Sequence, residues 1–383
     1  MNTPPLSSRS PPTATLGWTW SDVDPAAHFA ADYGEAREKF LAAAAARALA
    51  VETHVQPENL GPRGETLAID VVMLGDRSAP NALLVTSGTH GVEGFCGSGC
   101  QVGMLADDAF VANVERSGVA VVLLHALNPY GFAHLARTTE ENVDLNRNFR
   151  DFGVVTRNGS YLDVHDFIVP ASWPPAPENE MRIGQYVAKH GATALQSAIT
   201  TGQCDRPDGL FFGGNRAAWS QQVLRDLLRR HASSRGRLGW IDLHTGLGPL
   251  GHGEKIYAGL DDATMLARAK AWWGADVTSI YDGSSTSAQV EGMLFHAALQ
   301  ECAGAQYTGI ALEYGTLSFM DVLMALRARQ WLSNHPDADA GKRAAILRQI
   351  RDAFYVDTPA WKAMVFAQAR AAAFQALSAL SSR

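Results

Sequence analysis

Two histidines and one glutamate in this sequence have the side-chain types that bind zinc. His90 and Glu93 are three residues apart, where an apolar strand-like run gives way to a helical pattern, and His244 follows a second apolar run. Catalytic zinc sites usually take three such protein ligands and one water molecule. A lone His-x-x-Glu pair is also what a helix cap beside a surface histidine would give. The neighbouring Gly88 and Gly91 favour the metal site, because glycine lets the backbone come close to a bound group.

Two acidic residues are placed where they could serve this site. Asp242 lies two residues before His244, so both side chains point to the same face of a strand. Asp242 is either a structural acid of the sheet or the acceptor that orients a metal-bound imidazole. Glu313 comes near the carboxyl end of the apolar run that starts at Gly309. It is either an exposed strand-end acid or a general base that takes a proton from water at the metal.

A segment rich in basic and amide side chains could recognise a carboxylate. Asn146 and Arg147 lie in the run from Asp144 to Phe149, and Arg137 precedes that run. The guanidinium group is a planar fork that suits a carboxylate, and an asparagine amide can donate beside it. Arg137 could instead polarise the carbonyl that is attacked and stabilise the developing oxyanion. An ordinary surface loop with salt bridges would contain the same residue types.

Apolar strand-like runs alternate with helical patterns along the chain, which predicts a mixed or parallel α/β sheet under helices on both faces. Strands are predicted at residues 50–55, 67–74, 82–86, 119–124, 238–243, 255–258, 278–281 and 308–312. Helices are predicted at residues 26–50, 92–105, 178–199, 217–231, 262–273, 319–331, 341–354 and 359–380. The polar clusters should converge, because binding crevices of such sheets lie beyond the carboxyl ends of the strands. We predict a flexible tail at 1–24, a catalytic domain at 25–335 and a C-terminal helical extension at 336–383.

The composition limits the classes of function. The chain has 383 residues, of which 46% are apolar, and a formal net charge of −7. This apolar content suffices for a full core, and the negative charge argues against a general nucleic-acid or anionic-membrane binder. The four cysteines form no Cys-x-x-Cys pair, and neither a signal peptide nor a membrane-spanning apolar run is visible. We therefore expect a cytoplasmic protein with no nucleic-acid or membrane partner; the sequence gives no oligomeric state.

Taken together, the motifs resemble the zinc carboxypeptidase (M14-like) superfamily, which includes the aspartoacylase and succinylglutamate desuccinylase enzymes. Their order is His-x-x-Glu, Asn-Pro-x-Gly, Asp-x-Asn-Arg-Asn-Phe, a later single histidine and a late glutamate. The stretches SGTHGVEGFCGSG, DLNRNF, GLFFGGN, DLHTGLGP and ALEYGT resemble the bacterial DUF2817 branch. The resemblance covers Tyr33 to Leu332 and implies a mixed, largely parallel eight-stranded sheet between helices.

The resemblance also implies a role for each candidate residue. The implied ligands of one Zn²⁺ ion are His90, Glu93 and His244. Glu313 matches the catalytic glutamate that activates water and then passes a proton to the leaving amine. Asn146 and Arg147 match the pair that holds the free carboxylate of the substrate. Arg137 lies in the region of the arginine that polarises the carbonyl.

One departure from the family pattern limits the expected substrate. Digestive carboxypeptidases carry a mobile tyrosine shortly before the late strand, whereas this region is the serine-rich run 282–289, with Tyr281 and Tyr307 nearby. We expect His252 and Glu254 to be pocket or structural residues rather than a second metal site. The expected activity is hydrolysis of an amide bond next to a free carboxylate, in a short peptide or an N-acyl amino acid. The alternatives are an esterase or lactonase with the same zinc site and a non-catalytic metal- or carboxylate-binding module.

Overall fold

One sheet forms the centre of the computed structural model, which describes residues 24–154 and 157–382. The predicted tail lies outside these residues, except for Asp24. Within them the sheet has seven strands, in the order β1-β2-β4-β3-β5-β7-β6. The strands are β1 (Val51–Leu60), β2 (Thr66–Leu74), β3 (Asn81–Ser87), β4 (Val119–His125), β5 (Arg237–Leu250), β6 (Gly253–Tyr257) and β7 (Gln306–Gly315).

The middle of the sheet is parallel and its edges are antiparallel. β3 pairs in parallel with β4 and β5, and β5 pairs in parallel with β7. The pairs β1–β2, β2–β4 and β6–β7 are antiparallel. The mixed α/β class expected from the sequence is confirmed. The expectation of a largely parallel sheet is only partly right, because half of the strand pairs among the described residues are antiparallel, and the strands there number seven rather than eight.

The missing eighth strand is the one predicted at residues 278–281. Only Thr278 pairs with the sheet, through a single bridge to Ile256 of β6. The N–H of Ser279 then donates to the hydroxyl of Ser284 at 2.9 Å, so the chain turns back on itself. Serine hydroxyls thus accept hydrogen bonds from backbone N–H groups, which a longer strand would instead direct to the neighbouring strand.

Helices cover both faces of the sheet, thirteen of them α-helices in the described part of the chain. They are α1 (Tyr33–Ala46), α2 (Gly94–Ala106), α3 (Asp108–Ser117), α4 (Pro129–Ala133), α5 (Gly159–Ile168), α6 (Pro177–His190), α7 (Ala192–Thr200), α8 (Trp219–His231), α9 (Ala263–Trp273), α10 (Phe295–Glu301), α11 (Phe319–Asn334), α12 (Ala340–Phe354) and α13 (Pro359–Ser381). The single helix predicted at 178–199 is the pair α6 and α7. Gly191 separates them with a φ of +88°, which L side chains rarely adopt.

Alternation of side chains along the strands divides the core between the two faces of the sheet. In β3, Leu83 and Val85 face a core built with α1, α2, α9 and α13, whereas Leu84 faces a core built with α8 and α10. A third cluster joins α5, α6, α7, α11 and α12. The C-terminal helix α13 thus packs in the first core, while the domain boundaries stay a prediction. None of the helices within 24–154 and 157–382 combines the length and apolar character that a bilayer crossing requires.

Candidate metal centre and active site

The three predicted metal ligands lie just beyond the point where the neighbouring parallel strands β3 and β5 stop pairing with each other. β3 ends at Ser87, and the chain passes through His90 into a 3-10 turn, Gly91–Glu93, that leads into α2. His244 comes one residue after the last pair that β5 makes with β3. The turn needs glycine at position 91, since a Cβ atom there would lie 2.1 Å from the backbone of Gly131. The parallel pairing of β3 and β5 therefore brings together ligands that are far apart in sequence.

His90, Glu93 and His244 form a compact buried cluster, and as whole residues they are 3%, 1% and 3% exposed. Nδ1 of His90 lies 2.9 Å from Oε1 of Glu93, and Nδ1 of His244 lies 3.0 Å from Oε2. The two Nδ1 atoms are 3.2 Å apart, and one ligand atom from each residue lies within 4.8 Å of the others. Two imidazole nitrogens and a carboxylate thus face a common point, which is the donor set of a catalytic zinc site.

A second carboxylate holds the far nitrogen of each imidazole. Asp242 contacts Nε2 of His244, and Oδ1 of Asp144 lies 3.2 Å from Nε2 of His90. Asp242 is itself held by the hydroxyl of Thr89, which donates to it at 2.9 Å. At His244 the carboxylate at Nε2 fixes the ring and leaves Nδ1 as the nitrogen that can bind an ion, an arrangement usual around metal-ligating histidines. At His90 the carboxylate shares Nε2 with a guanidinium nitrogen of Arg137. The residues present therefore fit a metal ion.

Glu313 lies beside this cluster because β5 and β7 are in register. His244 is paired with Glu313 across the two strands, and the backbone N–H of Leu247 donates to the Glu313 carboxylate at 3.0 Å. Desolvation, together with the negative charge of Glu93, raises the pKa of Glu313 to about 7. A carboxylate with such a pKa can both accept and release a proton near neutral pH.

Arg137 lies against the ligand cluster. Its Nε donates to Asp144 at 2.9 Å, its Nη1 donates to Glu93 at 3.1 Å, and its Nη2 lies 2.8 Å from Nε2 of His90. Burial acts to lower the pKa of Arg137, but the charges of Asp144 and Glu93 outweigh it and raise that pKa. The structure therefore brings Arg137 to the site as a permanent positive charge beside the carboxylates.

Asn146 and Arg147 line the same cavity, and other residues hold both of them in place. The backbone N–H of Leu294 donates to the Asn146 side-chain oxygen at 3.0 Å, which leaves the amide NH₂ group as the donor. Arg147 is buried, and its Nε and Nη2 both donate to the carbonyl of Thr200. Burial lowers the pKa of Arg147 to about 10, which still leaves it charged at neutral pH.

A cavity of about 150 Å³ connects these groups. Its polar lining includes His90, Arg137, Asn146, Arg147, His244 and Glu313. The rest of the wall is mostly apolar and comes from two of the core clusters. Trp240, Leu294 and Tyr307 belong to the core with α8 and α10, whereas Val322 and Phe354 belong to the third cluster. The predicted site residues other than Glu93 thus line one cavity, and Glu93 contacts His90 and His244 beside it.

The family of the chain is decided by a match over most of its length. A family model described as "Protein of unknown function (DUF2817)" matches residues 29–368. The chain belongs to the DUF2817 family. The resemblance to this branch, drawn from the ordered motifs, is thereby confirmed. No curated protein matches the sequence of this DUF2817 protein.

The DUF2817 chain is also similar to several solved structures. Carboxypeptidase A from Helicoverpa armigera is 14% identical, with 84% of this chain and 73% of that chain covered and a TM-score of 0.40. A metallo-carboxypeptidase from Burkholderia cenocepacia is 14% identical, with 84% and 68% covered and a TM-score of 0.37. The ectoine utilization protein EutE (DoeB) from Ruegeria pomeroyi is 16% identical, with 75% and 65% covered and a TM-score of 0.35.

Two residues of the DUF2817 site were not assigned a role from the sequence. Asp144 is the carboxylate beside His90, and its position two residues before Asn146 gave no sign of that contact. The ring of Phe211 lies under both arginines, 4.9 Å from the guanidinium carbon of Arg137 and 5.3 Å from that of Arg147. Its φ of +52° is rare outside glycine. Phe211 lies within the GLFFGGN motif, which is the feature of the sequence that could have pointed to it.

Glu254 serves as a structural anchor in this DUF2817 protein. Its carboxylate accepts hydrogen bonds from the hydroxyls of Thr278 and Thr286, and from the backbone N–H of Thr286 at 3.1 Å. These bonds tie the serine-rich loop to β6, and Ser287 of this loop and Val290, which follows it, line the cavity. The hydroxyl of the nearby Tyr281 donates to the main-chain carbonyl of Gly259 at 2.9 Å.

Proposed function

We propose that this DUF2817 protein is a zinc-dependent hydrolase that cleaves an amide bond next to a free carboxylate. The substrate would be a short peptide or an N-acyl amino acid. The observation that carries the proposal is the convergence of two imidazole Nδ1 atoms on the carboxylate of Glu93, with a further carboxylate at each Nε2. A buried polar cluster of this kind gains most from a bound ion, because the ion satisfies all three groups at once.

The donor set favours zinc, since imidazole nitrogens with one carboxylate are typical of catalytic zinc and leave a position open. When bound, such an ion polarises the carbonyl of the substrate and lowers the pKa of water. His90, Glu93 and His244 would hold the ion, and Asp144 and Asp242 would orient the two imidazoles.

The remaining residues have separate tasks in the proposed reaction. Glu313 takes a proton from the attacking water and delivers it to the leaving amine, for which a pKa of about 7 is suited. Arg147 and Asn146 anchor the substrate carboxylate. Three of the five N–H groups of Arg147 donate to main-chain carbonyls, so two remain for a ligand. Arg137 supplies positive charge where the oxyanion develops.

The proposal is tested by metal analysis together with a substrate panel. We expect one zinc ion per purified chain and hydrolysis of N-acyl amino acids or dipeptides, with little turnover of the matched substrates whose carboxylate is amidated. Each amide is paired with the corresponding ester, so that an esterase or lactonase would be recognised by turnover of the esters alone. A protein that binds zinc stoichiometrically and hydrolyses no member of the panel would contradict the proposal and favour a binding module.

Asp242→Asn tests the carboxylate that holds His244. We expect the affinity for zinc to fall roughly 10- to 100-fold, as is usual when the outer partner of a ligating histidine is removed. The affinity is measured by competition with a chelator of known strength. Asp261→Asn is the control, because Asp261 is exposed and lies outside the cavity. An unchanged affinity in Asp242→Asn would show that Asp242 is only a structural acid of the sheet.

A further inference from the structure

The face of β7 that carries Glu313 continues away from the metal cluster to Tyr307. Because side chains alternate along a strand, Tyr307, Gly309, Ala311 and Glu313 share one face. Gly309 and Ala311 are small, so space remains between the metal cluster and the tyrosine. Gly309 lies four residues from Glu313, roughly 13 Å along the strand. Both Glu313 and Tyr307 line the cavity, which therefore has a polar end at Glu313 and a far end at Tyr307.

The hydroxyl group of Tyr307 is buried at this far end, and the described part of the chain offers it no hydrogen-bond partner. The residue is 3% exposed, and its hydroxyl makes no hydrogen bond to any of the described residues. The hydroxyl lies against Gly309, where a Cβ atom would approach it to 2.1 Å. The nearby indole N–H of Trp240 donates to Thr86 at 2.9 Å, so it is not free for a ligand. A buried hydroxyl without a partner is rare, because the loss of its hydrogen bonds to water is uncompensated.

We propose that Tyr307 determines the specificity of the site by donating a hydrogen bond to the far end of the substrate side chain. The side chain concerned is the one next to the free carboxylate, so this proposal rests on the proposed function. It is apolar along its length, to match the wall, and ends in a hydrogen-bond acceptor. Desolvation raises the pKa of Tyr307 well above its usual value, so the hydroxyl keeps its proton and acts as the donor.

The wall of the cavity shows which part of the substrate reaches Tyr307. Asn146, at the carboxylate end, is fixed by the backbone of Leu294. Leu294 packs in the same apolar cluster as Trp240 and Tyr307. A carboxylate held at Asn146 therefore places the adjacent side chain along this wall. Val322 belongs to the third cluster and also lines the cavity, and the proposal places the acyl group, on the other side of the scissile bond, against this part of the wall.

The test compares two side chains of the same shape that differ at their far end. Phenylalanine ends in a C–H group, and 4-pyridylalanine ends in a ring nitrogen that accepts a hydrogen bond. The zinc-loaded protein is assayed at pH 8 with the N-acyl derivative of each amino acid, using the acyl group preferred in the panel. Calorimetry gives the binding constants of the two free amino acids, which is a readout independent of turnover.

We expect the ratio of pyridyl to phenyl kcat/KM, and the same ratio of binding constants, to fall about tenfold in Tyr307→Phe, because the pyridyl nitrogen is then buried without a donor. Tyr314→Phe is the matched control. Tyr314 lies on the same strand and also has a buried hydroxyl without a described partner, but it faces the opposite core. Its ratios should equal those of the wild type.

The outcomes separate this proposal from the proposed function. If the protein hydrolyses the substrates but the ratios are the same in wild type and Tyr307→Phe, the hydroxyl contacts only water and the specificity proposal is overturned. If no substrate is hydrolysed but the binding ratio falls in Tyr307→Phe alone, the Tyr307 hydroxyl does bind the far end of the ligand side chain. In that case the specificity proposal holds and the hydrolase proposal fails. Thermal unfolding of both variants shows whether either change has altered the fold.

Discussion

Glu313→Gln is expected to keep its zinc and to lose roughly 10²- to 10⁴-fold in kcat, the usual contribution of a general acid–base group. The amide has nearly the same shape as the carboxylate, and Glu313 is not one of the three groups that converge on the ion. The amide oxygen of the glutamine can still accept the hydrogen bond from the N–H of Leu247. It cannot take a proton from water, so the loss should fall on turnover rather than on metal binding.

The measurement is kcat on the best amide of the panel, with zinc determined on the same preparation. Glu115→Gln makes the same chemical change at an exposed position in α3 and should leave both quantities unchanged. A Glu313→Gln protein that retains more than about a tenth of the wild-type kcat would rule out Glu313 as the proton carrier. Loss of zinc in this variant would instead point to a ligand role.

His244→Ala is expected to remove both the metal and the activity. Alanine deletes one of the two nitrogens at the centre and leaves Asp242 without the imidazole that it contacts. We expect the zinc affinity to fall by more than about 100-fold. A loss of about 100-fold is the most that removal of a residue hydrogen-bonded to a ligand usually causes, and removal of the ligand itself should cost more. Hydrolysis of the panel substrates should fall below detection, since the remaining two ligands cannot hold the ion firmly.

Zinc content after dialysis and chelator competition measure this effect. His252→Ala is the matched control, because His252 is an exposed histidine near the end of the same long strand and does not line the cavity. It should bind one zinc ion with wild-type affinity. If His244→Ala also retained one tightly bound ion, the three-residue centre would be the wrong assignment.

The sequence predicted the positions of the site better than its contacts. His90 and His244 were recognisable because each follows an apolar strand, and parallel strands bring their carboxyl ends together. The contact between Asp144 and His90 depends on how two loops meet, which no local spacing encodes. The ring of Phe211 reaches both arginines only through a backbone φ of +52°, and the propensities of phenylalanine do not suggest that conformation.

The same holds for the fold: elements with strong local sequence patterns were predicted, and elements that depend on tertiary contacts were not. The buried strands β3, β4 and β5 were predicted because continuous apolar runs leave little alternative. The short helices α3 and α5 were missed, although Asp107 and Asn158 cap them at their N-termini. The strand expected at 278–281 failed because Glu254, from a neighbouring strand, binds the threonine hydroxyls on either side of the turn. Long-range partners of this kind cannot be seen in a window of the sequence.

The antiparallel edge of the sheet also protects the molecule from joining other sheets. β1 is the outermost strand on one side, and it includes Glu52, His54 and Pro57. Its pairing with β2 is interrupted after Val55, and Glu52 is held by His231 of α8 at 2.8 Å. Proline, charge and irregular pairing at an exposed edge discourage the addition of a foreign strand. The strands that carry the metal ligands lie further in, so the edge resists aggregation without any constraint on the residues of the site.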